Sequence, residues 1–406
     1  MRIAVVGGGA AGLFAAGIAS HNGAETVLIE RNSRLGVKLR ITGKGRCNVT
    51  NDCDRQTFFE NVVSNPRFLY SSYSSFGSQD TKEFFEGLGV PLKVERGRRV
   101  FPVSDKASDI ADALAGYCES GGVSFVRDRI KEITHKNGFV LKGAQGTYTA
   151  DRVIIATGGL SYPRTGSDGD GYAFAKAFGH AVTPLSPSLV PLICSDRICP
   201  RCQGLSLKNV TLEAYDTVTG KTVFSELGEM LFTDRGVSGP LVLSASARMR
   251  DAEPGRYRLY IDLKPALDTQ TLDRRILRDF SENKNKDLIN SLGQLLPSKL
   301  IAPFIDLCGI DPSKKVNSVT SAERHTMVET LKKLTLTVVS PAPISEAVIT
   351  RGGVDTRSID PKTMQSKLVP GLFFAGEIID CDAYTGGFNL QIAFSTAHAA
   401  ALSACR

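Results

Sequence analysis

The chain has 406 residues, 42% hydrophobic and 22% charged, with a net charge of +7. At about 150 residues per domain this suggests two or three domains, and the balance excludes a disordered, collagen-like or coiled-coil chain. A charge of this size decides nothing about nucleic acid, and nine scattered cysteines read as thiols of a reducing, cytoplasmic compartment rather than a disulfide framework.

Residues 3–19 carry no charge, but Gly7, Gly8, Gly9, Gly12 and Gly17 make them a poor apolar signal helix. No other stretch approaches the roughly 20 apolar residues that span a bilayer, so no membrane partner is expected. Residues 3–6 (Ile-Ala-Val-Val) predict a short strand buried on both faces. Gly7-x-Gly9-x-x-Gly12 follows, then a helical pattern, then a second apolar run at 26–29 ending at Glu30. That order of strand, glycine loop, helix, strand and acid is a dinucleotide fingerprint. Gly7 makes the turn, Gly9 admits a pyrophosphate, Gly12 lets helix and strand pack, and Ala10 and Ala11 lie at the helix N-terminus, where free N–H groups face the phosphates. Glu30 would take ribose hydroxyls, which disfavours a 2′-phosphate, so NAD or FAD is preferred; Arg31 beside it is a further candidate contact.

Three later segments favour FAD. Residues 36–48 form a glycine-containing loop with four cations, and Lys38, Gly43, Arg46, Cys47 and Asn48 are candidate contacts there; the plain alternative is a solvated basic loop. Residues 152–159 read as a buried strand ending in the small-residue turn Ala156-Thr157-Gly158. Residues 371–377 read as another strand, ending at Gly376-Glu377. Motifs at the two ends of a chain suit a long cofactor gripped by distant sequence.

Between these segments, Pro184, Pro187 and Pro191 mark an exit from the first part. Residues 205–214 and 257–263 alternate as antiparallel strands, with a turn at Gly220 and a short helix opening at Pro240. From 267 the period becomes helical, through Leu272, Ile276 and Phe280 and then Leu288, Leu292 and Leu296. Thr320-x-x-Glu323 has the form of a capping box before another helix, and Pro341 and Pro343 mark the return. Cys199-Pro-Arg-Cys202 lacks the second pair a structural zinc would need, so no metal is expected and plain loop thiols are preferred. Cys47 is the better redox candidate, yet its nearest partner, Cys53, is six residues away rather than four, which argues against thiol chemistry. At the end, Gly387, Asn389, Leu390 and Gln391 open a helix whose first N–H groups can reach a ligand, and in the flavoproteins this chain is similar to that N-terminus points at the pyrimidine edge of the flavin.

The chain resembles the bacterial flavoproteins grouped as HI0933-like, or aminoacetone-oxidase-like, which include bile-acid dehydroreductases. The carriers are VVGGGAAGL (5–13), ITGKGRCNVTN (41–51), ATGGLSYPRTGSDGDGY (156–172), GEMLFTDRGVSGP (228–240), ITRGGVD (349–355) and GEIIDCDAYTGGFNLQIAFSTAH (376–398). The resemblance implies an α/β fold: a glutathione-reductase-type Rossmann FAD domain (1–188 and 341–406) interrupted by an antiparallel β domain (189–264) and a helical domain (265–340).

With no second glycine fingerprint, NAD(P)H is a candidate only as a transient electron donor. The leading reading is an FAD-dependent oxidoreductase that moves hydride between flavin and a C–C or C–N bond of a small molecule in an interdomain cleft. Arg351, Tyr162, Arg164 and Tyr384 are the candidate catalytic contacts, each open to a structural reading. The alternatives are an RNA-modifying flavoprotein and a flavin-binding sensor. Arg96-Gly97-Arg98-Arg99 and Lys314-Lys315 would suit phosphates, but they are short and lack interleaved aromatics, so nucleic acid is not expected. Substrate, electron donor and oligomeric state are not legible.

Overall fold

A computed structural model describes residues 1–406. The chain divides into two compact units, Met1–Ser188 with Ile344–Arg406, and Leu189–Pro343. The stretches expected as separate β and helical domains both lie within the second unit.

The first unit is built on a five-stranded parallel sheet. Strand β1 (Arg2–Val6) pairs with β2 (Glu25–Glu30) on one side and with the strand Arg152–Ile155 on the other; Ser124–Arg127 and Leu372–Phe374 form the two edges. Ile3, Ala4 and Val5 are fully buried, the continuous apolar run that a sheet covered on both faces requires. Helix α1 (Ala10–His21) packs on the final helix Phe388–Ala404 and on the helix Ala107–Ser120. Phe14, from α1, meets Phe394 edge-on at 5.4 Å and Phe84 at 4.9 Å, an arrangement that suits ring quadrupoles. A three-stranded meander, Ile130–His135, Phe139–Gly143 and Thr147–Ala150, completes the unit together with the small sheet of Thr50–Asn51, Arg99–Pro102 and Leu92–Glu95. Because all five main strands run parallel, their carboxyl ends, and the loops that follow them, share one edge.

The basic stretch expected as a loop is helix α2 (Val37–Gly45), interrupted at its end, where Thr42 turns extended and Gly43 and Lys44 take positive φ. A helical start and a left-handed exit give no continuous period, which is why the sequence read as loop.

The second unit is a closed six-stranded barrel in the order Leu192–Cys194, Gly236–Ser238, Lys221–Phe232, Ser206–Asp216, Tyr257–Asp262 and Leu334–Pro341. The strand Ser206–Asp216 carries a register shift between Leu207 and Val210, where its alternation slips by one residue. The helix Pro240–Arg248 packs on the Lys221–Phe232 strand. Thr320 and Glu323 cap the helix Ser321–Lys332 reciprocally, each side chain accepting the other's backbone N–H. The period at 288–296 is not a helix. Leu288, Leu292 and Leu296 are buried, but through a 3-10 turn (Leu288–Asn290) and a further tight turn, and the helix begins only after Pro297, at Ser298–Cys308.

Candidate functional site

The shared carboxyl edge of the parallel sheet brings together Gly7–Gly12 after β1, Glu30 after β2, Ala156–Gly159 after Arg152–Ile155 and Gly376–Glu377 after Leu372–Phe374. In open α/β sheets this edge is where ligands bind. The three fingerprint glycines have three different surroundings. Gly7 has φ +106°, and a side chain there would press on the Ala156 carbonyl at 2.5 Å. A Cβ on Gly12 would overlap the Gly7 carbonyl, so that glycine lets helix and strand pack. A Cβ on Gly9 would meet nothing within 4 Å. Gly9 opens α1 with no side-chain cap, leaving the N–H groups of the first turn facing that open space.

Glu30 holds this loop. Its Oε2 accepts the Gly8 N–H at 2.6 Å and its Oε1 accepts the Asn32 N–H at 2.8 Å, which leaves each oxygen a lone pair. Arg31 turns away to ion-pair with Asp168 at 2.6 Å and Asp170 at 3.4 Å, a cluster that Arg129 joins, so it braces the loop at 166–170.

A second polar knot ties four distant segments. Lys38 Nζ donates to Ser161 Oγ at 2.6 Å and to Glu377 Oε2 at 2.5 Å, and Ser161 donates to Glu377 Oε1 at 2.6 Å. The Thr350 N–H donates to the same carboxylate, while Thr350 Oγ1 accepts the N–H groups of Leu160 and Ser161. This staple brings the Tyr162 loop beside Arg351; Lys38 Nζ lies 5.9 Å from the Tyr162 ring centre. Tyr162 has φ +51°, an uncommon backbone state for its type. Arg164 is exposed in the next turn, and Tyr384 is buried in a separate loop that Asn389 pins by accepting the Ala383 N–H and donating to its carbonyl. The bonds of Thr350 to Leu160 and Ser161 join the segments that carry Tyr162 and Arg351, and Tyr384 follows in a third segment.

Several of the expected contacts have their side chains committed to the protein. Arg46 pairs with Glu95 and Asp105 and lies over the Phe101 ring. Gln391 is fully buried; its Oε1 accepts from Thr50 and Thr81, and its Nε2 donates to the Phe76 carbonyl and to Ser395. Cys47 is buried, and that burial pushes its thiol up to about 12, so it is a neutral packing group at physiological pH. Cys194 is likewise raised, first by a hydrogen bond with the Cys199 thiol and then by burial. Two buried oxygens near the site have no partner within the protein, Asn48 Oδ1 and Thr157 Oγ1. At the far end of the motif set, Gly387 starts the final helix without a side-chain cap at φ +97°, and a Cβ there would overlap the Thr50 carbonyl.

The site also holds residues that sequence reasoning missed. Thr350 and Ser161 carry the staple, and both lie inside quoted motifs. Asp382 is 1% exposed, with Oδ2 accepting from Ser188 at 2.7 Å and Oδ1 unpartnered. The Asp-Cys-Asp run was its one sign.

An open cradle at Gly9, free helix N–H groups and an acid at the end of β2 fit the pyrophosphate and ribose of a dinucleotide, and the orphaned oxygens of Asn48 and Thr157 are open to a further polar partner. No helix is long and apolar enough to cross a membrane.

Comparison with known proteins gives a consistent picture. The family model for the HI0933-like protein Rossmann domain matches residues 1–403. A ribosomal RNA dihydrouridine synthase of Escherichia coli (strain K12) is 31% identical over 98% of this chain and 96% of its own length. A 3-dehydro-bile acid delta(4,6)-reductase of Clostridium scindens is 29% identical over 99% and 98%. A 3-ketosteroid delta1-dehydrogenase from Sterolibacterium denitrificans aligns over 99% of each chain at TM-score 0.52 and 12% identity, a likeness of fold.

Proposed function

The chain belongs to the HI0933-like family of FAD-dependent oxidoreductases, and we propose on that premise that it reduces a carbon–carbon double bond conjugated to a carbonyl. The activities of the two relatives share this chemistry. Dihydrouridine formation saturates the uracil double bond next to a ring carbonyl, and a delta(4,6)-reductase saturates double bonds conjugated to a 3-ketone. The observation in this chain that carries the reading is the Gly9 cradle with its uncapped helix and the unpartnered Asn48 Oδ1.

FAD, when bound and reduced, would supply one hydride to the β-carbon of the conjugated system, and NAD(P)H is the electron source we propose. The protein does the rest. Gly9, Ala10 and Ala11 hold the pyrophosphate on backbone N–H groups, and Glu30 takes ribose hydroxyls on its remaining lone pairs. Asn48, Thr157 and Gly158, with the backbone of Gly376, Gly387 and Leu390 from the two later turns, would hold the rest of the cofactor. Lys38 and Glu377 hold the loop of Ser161 in place, and Gly43, Arg46, Cys47, Asn389 and Gln391 set the surrounding backbone. Arg351 polarises the substrate carbonyl, and the Tyr162 hydroxyl delivers the proton to the α-carbon, so that hydride and proton together saturate the bond. Arg164 and Tyr384 are proposed as outer substrate contacts.

The test is anaerobic. FAD-loaded protein, reduced by NADH, NADPH or dithionite, is mixed with a steroid enone or a uridine-containing RNA, and flavin reoxidation is followed alongside product mass. Reoxidation with a gain of two hydrogens in either compound supports the reading. A reduced flavin that neither compound reoxidises, though oxygen does, refutes it.

A further inference from the structure

The hairpin Leu92–Glu95 and Arg99–Pro102 turns through Arg96, Gly97 and Arg98, with Gly97 at φ +76° and Arg98 at φ +56°. That tip is fixed to the candidate site. Asn51 Nδ2 donates to the Gly97 carbonyl at 3.1 Å and to the Gly386 carbonyl at 2.9 Å, so one side chain bridges the hairpin tip and the turn that opens the final helix. The Asp52 N–H donates to the Arg98 carbonyl at 2.7 Å, and Thr50, next in the same strand, donates its hydroxyl to Gln391 on the final helix.

The charges around the tip sort into two groups. Arg46 and Lys93 are cancelled by Glu95 and Asp105, and Lys82 by Asp52. Arg96 and Arg98 are exposed and form no ion pair; Asp54, whose carboxylate feels the Arg98 charge, is engaged in capping the helix Arg55–Glu60. Exposed Lys44 stands at the kinked end of α2, which touches the same hairpin where Arg46 covers Phe101. A surface that neutralises its inner cations and leaves its outer ones bare, on a tip pinned to the ring-end turn, is built for a chain of anions rather than a single one. The brevity of the Arg96–Arg99 cluster in sequence argued against nucleic acid; the fold adds Lys44 and places the cluster beside the site.

We propose that Arg96 and Arg98, supported by Lys44, contact the phosphate backbone of a single-stranded RNA whose base is the substrate, fixing its register relative to the Gly386–Gly387 turn. This rests on the double-bond reductase reading only in taking that base to be uracil; phosphate binding is measured without turnover. Each phosphate contact on a single strand contributes about 0.7 to the slope of log affinity against log salt. The experiment uses FAD-loaded full-length protein and a labelled single-stranded RNA of about a dozen nucleotides containing uridine, titrated by fluorescence anisotropy across a salt series. Wild type binds with a steep salt dependence. R96A/R98A loses at least tenfold in affinity at low salt and about 1.4 in slope, while R96K/R98K, which keeps the charges, retains most of the slope. FAD content and reduction of the steroid enone, whatever their wild-type values, are unchanged in both variants. Absence of RNA binding by wild type, or equal affinity and slope in R96A/R98A, overturns the proposal and leaves the reductase reading standing. RNA binding without turnover of either compound fails the reductase reading alone.

Discussion

At the residue scale, the three fingerprint glycines make separable claims about folding and binding. Gly9→Val puts branched atoms into the open cradle, where no protein atom stands, and so should purify without FAD yet melt at the temperature of FAD-free wild type. Gly12→Val drives the same atoms into the Gly7 carbonyl and should cost several kcal/mol, enough to abolish soluble expression. The soluble yield of the two variants, with flavin absorbance and circular dichroism of purified Gly9→Val, decides it, and a Gly9→Val protein with full FAD would remove the pyrophosphate from α1. The sequence carried this part well, because an apolar run, three spaced glycines and an acid are local features. It carried Glu30 only halfway. The carboxylate could be placed at the strand end, but its bonds to Gly8 and Asn32 depend on how the glycine loop folds back. The side-chain partners of Gln391, namely Thr50, Thr81 and Phe76, are more than 300 residues away, out of reach of any local reading.

At the element scale, short amphipathic pieces were the least legible. Apart from the helices Ser78–Gly87 and Ala107–Ser120, the elements of residues 55–150 are six residues long or shorter, yet they supply the arginine hairpin and the meander. Asp128 shows how such pieces are held. Its backbone N–H donates to the Glu30 carbonyl, and its buried carboxylate accepts from the N–H groups of Arg129, Ala144, Gln145 and Gly146 and from the Tyr148 hydroxyl. Burial works to raise this carboxyl, but the Tyr148 hydroxyl and the backbone donors outweigh it and hold it below the usual carboxylate range. A depressed carboxyl stabilises the fold above the unfolded value of about 4, and the gain is lost as pH falls through the folded value. Asp128→Ala should therefore destabilise by about 2–3 kcal/mol at pH 7, through the loss of charge-assisted bonds to buried donors. Thermal melts at stepped pH should show the gap to wild type closing below about pH 4. A gap that is constant from pH 7 to pH 3 would mean that the carboxylate charge is not what holds the meander.

At the scale of the whole molecule, the interruption read from the proline-rich stretches has a topological basis. In the second unit the first and last strands are neighbours: Leu192 pairs with Pro341, Ile193 with Ser340, and the Ala342 N–H donates to the Pro191 carbonyl at 2.9 Å. In the first unit the two flanking segments pair as well, Ser186–Ser188 against Ile349–Arg351. Each unit thus closes its own ends, about 5 Å apart as neighbouring antiparallel strands are, and neither needs the other's strands to complete a sheet. What the sequence did not show was closure of the barrel, because alternation marks a strand without naming its partner. The barrel leaves no sheet edge unpaired, and at about 150 residues such a unit buries enough surface to fold alone. Residues 189–343 expressed by themselves should therefore give a β-rich circular dichroism spectrum and one cooperative thermal transition. A first unit rejoined across 188 and 344 by a short glycine-serine linker should retain FAD, since every residue assigned to the cofactor lies within it. A sloping melt with strong binding of a hydrophobic dye by residues 189–343 would show that the barrel depends on the rest of the chain for its core.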